Sequence, residues 1–119
     1  MVEDDDSVRN MTRYVLNQYG YKVLDAASGE EALQISKLCT EPIQLLLTDV
    51  IMFEMSGRDL AKLLESYRPE TKVLYMSGYT ESAIALHGVL RQDVEFIEKP
   101  FSSKGLARKV REILNAPKK

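Results

Sequence analysis

Apolar positions in this chain switch repeatedly between a helical spacing and short unbroken runs. Val8, Met11, Val15, Leu16 and Tyr19 share one face of a helix that begins at Ser7 and is stopped by Gly20. Tyr21 to Ala26 is β-leaning, with Tyr21, Val23 and Leu24 as its apolar members. Ser28-Gly29-Glu30-Glu31 is a capping box for a second helix, whose buried side is Ala32, Ile35 and Cys39 and whose end is Pro42. Leu45-Leu46-Leu47-Thr48-Asp49 has no polar face among its leucines. Its length, with Pro42 ahead of it and the loop of Met52 to Gly57 behind, predicts a short strand covered on both faces. Ser56, with Asp59 three residues on, starts a helix through Leu60, Leu63, Leu64 and Tyr67 that closes at Arg68-Pro69. Lys72 to Met76 reads as a strand, Thr80 to Leu86 as a weaker helix stopped by Gly88, and Val94 to Ile97 as a strand broken by Lys99-Pro100. Ser102 or Ser103 caps a last helix with the core face Leu106, Val110, Ile113 and Leu114.

With the apolar stub Met1-Val2 counted as a first strand, strand and helix alternate five times. That order predicts an α/β fold: a five-stranded parallel sheet with helices on both faces, joined by crossovers. The first strand is cut short, to Met1-Val2-Glu3. The 119 residues form one domain, residues 1–119, with 116–119 as a loose tail. Composition removes several classes of function. A net charge of −2 provides no global field for nucleic acid or an anionic membrane. Cys39 is alone, which rules out a disulfide framework and a cysteine metal site. No apolar run is long enough to span a bilayer, and the acidic start is the opposite of a signal peptide, so a reducing, cytoplasmic setting is expected.

In such a sheet the carboxyl ends of the first, third, fourth and fifth strands converge on one crevice. The residues there are Glu3 and Asp4, Asp49, Ser77, and Lys99. Three carboxylates brought together repel and need counter-charge. Lys99 supplies one positive charge, and a hard divalent cation, held by a few oxygens and several waters as magnesium prefers, supplies the rest. Asp49, a carboxylate beside a metal and a lysine, is suited to attack a phosphoryl group and form an acyl phosphate, and Ser77 offers a hydroxyl to the phosphoryl oxygens. Against this stands the ordinary fate of each residue alone: acidic clusters are usually solvated, and a strand-end Asp is usually a cap.

The segments Val2-Glu3-Asp4-Asp5, Thr48-Asp49-Val50-Ile51-Met52, Met55-Ser56-Gly57, Met76-Ser77-Gly78-Tyr79 and Glu98-Lys99-Pro100-Phe101, in this order and spacing, resemble the receiver (CheY-like) domains of two-component response regulators over essentially the whole chain. The resemblance implies a flavodoxin-like (βα)5 fold. It makes Asp49 the phosphoacceptor, served by a histidine kinase or a histidine phosphotransfer protein. Glu3, Asp4, Asp49 and the backbone carbonyl of Ile51 then match the ligands of Mg2+, with Mn2+ as a substitute. Ser77 matches the switch hydroxyl, Phe96 the switch aromatic and Lys99 the phosphoryl-binding lysine, while Pro100 matches a proline that follows a cis peptide bond. Phosphorylation would draw Ser77 and Lys99 inward and let Phe96 re-present the surface of residues 79–112. Such a domain assists its own phosphorylation and dephosphorylation without being a turnover enzyme alone. It is either a single-domain regulator or a receiver within a larger chain, and the segments Leu74 to Tyr79 and Phe96 to Phe101 resemble receivers fused to hybrid sensor histidine kinases.

The pattern departs from the family in the short first strand, in Phe53 where a proline is usual, and in Ile51 and Tyr79 flanking the acceptor. His87, the single histidine, reads as a surface residue, because a phosphorylatable kinase histidine needs a dimerising helical hairpin. The basic C-terminal helix reads as a solvated face. Two other functions compete: a scaffold of the same fold that binds partners without phosphorylation, and a magnesium phosphohydrolase, which would want an Asp where Ile51 stands. A flavin-type phosphate loop is disfavoured by the acidic residues 3–6. Isoleucine cannot hydrogen-bond a water into line on an acyl phosphate, and Tyr79 can shield it. Self-dephosphorylation is therefore expected to be slow, and Ile51→Asn should speed loss of the label in a phosphate-release assay; an unchanged rate would remove this role for Ile51.

Overall fold

In the computed structural model, which describes residues 1–50, 55–77, 95–99 and 101–116, the leucine run forms β1 (Leu45–Asp49). Its alternate side chains serve opposite faces. Leu45 and Leu47 pack with Val15 and Leu16 of α1 (Asp6–Gln18) and with Leu106, Val110 and Ile113 of α4 (Ser103–Asn115). Leu46 packs with Leu60 and Leu64 of α3 (Gly57–Tyr67), alongside Ala32, Leu33 and Ile35 of α2 (Gly29–Leu38). A strand buried on both sides has no need of a polar face, which is why the run is continuous.

β1 pairs in parallel with β2 (Lys72–Ser77), which pairs in parallel with β3 (Phe96–Glu98), in the order β1-β2-β3. The five strands expected from the pattern are not all drawn as strands. The expected first and second contribute only single bridges, Val2 with Thr48 and Val2 with Ala26. Propensity alone does not make a strand. The tract Tyr21–Ala26 needs a continuous partner, and Met1 to Glu3 offers only a few bonds: Met1 N to Leu24 O, Ala26 N to Met1 O, and Glu3 N to Ala26 O. The lane is nonetheless parallel on both sides, since Val2 N donates to Leu47 O at 2.7 Å and Asp49 N to Val2 O at 3.3 Å. A cavity of about 400 Å³ lies along the start of this lane, lined among others by Val23, Leu24, Leu45, Leu46 and Val110.

The helix starts follow the capping signals. Asp5 accepts from Val8 N, Ser28 from Glu31 N, Ser56 from Asp59 N and Ser102 from Gly105 N. Glu31 reaches back past the cap and accepts from Ala27 N, the residue before Ser28, at 2.6 Å. Gly20, at φ 89°, turns the chain out of α1 in the left-handed region that suits glycine. The last strand is described over Phe96–Glu98; Val94, the expected helix at 80–86 and His87 lie outside the described residues.

Two basic side chains close helix ends that apolar packing leaves open. Lys72 Nζ donates to the carbonyls of Ile113, Leu114 and Ala116 at the end of α4. Arg68 donates to Ser36 Oγ and to the carbonyls of Ser36, Cys39 and Glu41, at 2.7–3.1 Å, and so locks the end of α3 onto the end of α2. Helix C-termini carry unpaired carbonyls and partial negative charge, and a guanidinium answers both. Arg68→Ala should cost about 2–3 kcal/mol, as loss of several charge-assisted bonds does, read as a lower urea midpoint at constant slope.

Candidate functional site: an acidic cluster around Asp49

Because the described strands run parallel, their carboxyl ends share one edge, and three separate tracts deliver side chains to it. Glu3 follows the doubly bridged Val2, Asp49 ends β1, and Lys99 follows β3. Glu3 and Asp49 are each about 1% exposed, whereas Asp4 points to solvent. Ligand oxygens of Glu3, Asp4 and Asp49 lie within 4.8 Å of one another. Lys99 Nζ reaches both buried carboxylates, 2.8 Å from Glu3 Oε1 and 2.5 Å from Asp49 Oδ1. Ser77 is the last residue of β2, in register with Glu98, so its backbone stands at the same edge; its side chain lies outside the described atoms. Ile51, Phe53, Tyr79 and Pro100 lie outside the described residues. Phe96 is half-buried at the head of β3, opposite Tyr75, and packs toward Val50 and Tyr75.

The charges do not balance. Three carboxylates face one ammonium, a formal excess of two negative charges. Burial, then the neighbouring Glu3 carboxylate, push the Asp49 carboxyl up to about 8 against the pull of Lys99. Burial acts on Glu3 in the same sense, but contacts with Asp49, Lys99 and the Asp5 amide outweigh it and hold Glu3 below its ordinary value. Asp4 is raised by partial desolvation and by Glu3. For Lys99 desolvation is overcome by its bonds to Asp49 and Glu3, which raise it. Both Asp49 oxygens are buried, and among the described residues neither accepts a hydrogen bond of good geometry; the approach of Lys99 is an ion pair. A buried carboxylate with unused lone pairs, two carboxylates beside it and an excess of two charges fits a divalent cation with oxygen preference.

Gly57 shapes this edge in a way the residue pattern did not signal beyond its place in Met55-Ser56-Gly57. Its amide donates to Val50 O at 2.7 Å. A Cβ at Gly57 would stand 1.9 Å from Asp49 O and 3.2 Å from Thr48 Cγ2, so any side chain there would drive the start of α3 off the Asp49 backbone. Thr48 is fully buried and its Oγ1 donates to the same Asp49 carbonyl at 3.1 Å.

Residues 1–111 match the response regulator receiver domain family. The chain belongs to that family. It is 40% identical to the sensor kinase CckA of Brucella abortus over 114 residues, 96% of this chain but only 12% of that protein. It is 30% identical to the response regulator receiver protein CpdR of the same organism over 116 residues, 98% of this chain and 95% of CpdR. Among solved structures, the receiver domain of the hybrid histidine kinase CckA superposes with a TM-score of 0.79 at 36% identity, covering 96% of this chain and 95% of that one. The fold is thus the flavodoxin-like receiver fold. Among the described residues of this receiver, no helix is long and apolar enough to cross a membrane.

The raised Asp49 sets a pH dependence. A carboxyl held above its unfolded value of 3.8 keeps its proton in the folded state while the unfolded chain ionises. Its stabilising share is therefore present below that value and is lost as pH rises toward about 8. In EDTA, Asp49→Asn should melt higher than the wild type, and the gap should widen by roughly 5–10 °C between pH 5 and pH 8. A gap that stays flat across this range, read by circular dichroism, would mean that Asp49 ionises freely.

Proposed function

We propose that Asp49 is the phosphoacceptor of this receiver, taking a phosphoryl group from the phosphohistidine of a histidine kinase or a histidine phosphotransfer protein. The observation that carries the reading is the buried Asp49 carboxylate, its oxygens unbonded, between an acidic pair and Lys99 at the edge of a parallel sheet. Glu3, Asp4, Asp49 and the backbone carbonyl of Ile51 would hold Mg2+, or Mn2+ in its place. Bound there, the ion neutralises the carboxylates and the oxygens of the incoming phosphoryl group.

An Asp49 oxygen forms the bond to phosphorus as the bond to the imidazole nitrogen breaks, and the electron pair returns to the ring. Lys99, now shared between Glu3 and Asp49, follows the charge onto the phosphoryl oxygens. Ser77 at the end of β2 donates its hydroxyl to the same oxygens. Its movement frees space for Phe96, and the changed face spans residues 79–112, from the expected helix at 80–86 through β3 to α4. The full sheet in this reading has five strands, with the Tyr21–Ala26 lane at one edge and the Met1–Glu3 lane between it and β1, and residues 1–119 act as one domain. The likeness to a segment of a sensor kinase supports a place in a hybrid histidine kinase; in this reading the domain lies on the cytoplasmic side and itself meets neither nucleic acid nor membrane.

Intact mass after incubation with acetyl phosphate and magnesium tests the reading. The expected result is a gain of one phosphoryl group that disappears in EDTA and in Asp49→Asn. No gain in a folded, metal-binding domain would overturn phosphoacceptance and leave a module that binds partners without phosphorylation.

A further inference from the structure

Glu3 and Asp4 can serve one ion together only if the peptide joining them keeps a single orientation. That peptide joins a buried Glu3 to an exposed Asp4 whose carboxylate still lies within 4.8 Å of the Glu3 and Asp49 oxygens. The sheet holds only its leading side: Glu3 N donates to Ala26 O at 3.1 Å, and beyond Glu3 the chain leaves the ladder. The trailing side is held by a side chain. Arg9 Nη1, reaching back from the first turns of α1, donates to Glu3 O at 2.9 Å. The same guanidinium is braced by Asp6 Oδ1 at 2.5 Å and lies 3.6 Å from Asp25 Oδ2 through Nε, and its side chain is only 16% exposed. Asp25 is held in turn by Arg13 Nη1 at 3.1 Å, next in sequence to the Ala26 that pairs with Glu3.

We propose that Arg9 is a positioning residue of the cation site: a strut between Glu3 O, Asp6 and Asp25 that fixes the Glu3–Asp4 peptide without touching the ion. The inference rests on the metal reading proposed above. Its sign separates it from simple electrostatics. A guanidinium beside an acidic cluster repels a cation, so if Arg9 acted by charge alone its removal would tighten binding. A strut predicts the reverse, since residues that orient ligands commonly govern affinity as strongly as the ligands themselves. Lysine keeps the charge but not the planar fork that grips a carbonyl and a carboxylate at once.

Mn2+ binding, counted from the electron paramagnetic resonance signal of the free ion, tests this in the intact chain, with melts in EDTA to show that each variant is folded. Arg9→Gln should weaken Mn2+ binding about tenfold, and Arg9→Lys should fail to restore it. Arg13→Gln, which loses a bond to Asp25 but none to Glu3, should stay close to the wild-type affinity. Binding by Arg9→Gln as tight as wild type, or tighter, overturns the proposal. Should Arg9→Gln not fold, wild-type affinity in Arg9→Lys overturns it equally. A wild-type chain that binds no Mn2+ overturns the metal reading itself, a failure distinct from that of the strut.

Discussion

One ammonium group held between two buried carboxylates organises this domain. Lys99 reaches Glu3 and Asp49 from a different strand lane than either, and it is the positive charge that the described residues place against both. Buried charges survive only when paired, and breaking such a pair is costly. The arrangement is unfinished, since a single ammonium cannot satisfy the cluster, and burial with Glu3 beside it holds the Asp49 carboxyl above its ordinary value. That deficit fits a divalent cation at the edge of the sheet, as the proposed metal reading requires.

Around this centre the supports are mostly backbone. Thr48 and Gly57 converge on the Asp49 carbonyl, one by a hydrogen bond and the other by having no side chain. Arg9 and the Ala26 carbonyl hold the two sides of Glu3. Asp49 thus sits on a fixed main chain while its side chain is held by the Lys99 ion pair and by no hydrogen bond of good geometry among the described residues, as preorganised sites require.

Much of this could be read from residue order. Three leucines in succession marked a strand covered on both faces, and the strand ends carrying Glu3, Asp49 and Lys99 had to share an edge once the sheet was parallel. The helix caps at Ser28, Ser56 and Ser102 were equally plain, because capping is local chemistry. What could not be read were contacts between elements far apart in sequence. Nothing in the spacing of Arg9 or Arg68 tells which carbonyl will lie bare beside them, and nothing around Gly57 shows that a backbone passes within contact. The tract Tyr21–Ala26 was β-leaning yet forms only a bridge, because a strand is a property of a pair and its partner lane is short.

The ion pair between Glu3 and Lys99 spans 96 residues of chain. Contacts of such separation form late, since the loop they close must lose its freedom before they are rewarded. A ribosome that has delivered only the first half of this receiver has therefore exposed two carboxylate tracts with no lysine to gather them. The cluster around Asp49 stays unassembled until the last strand emerges, and its chemistry arrives together with completion of the fold.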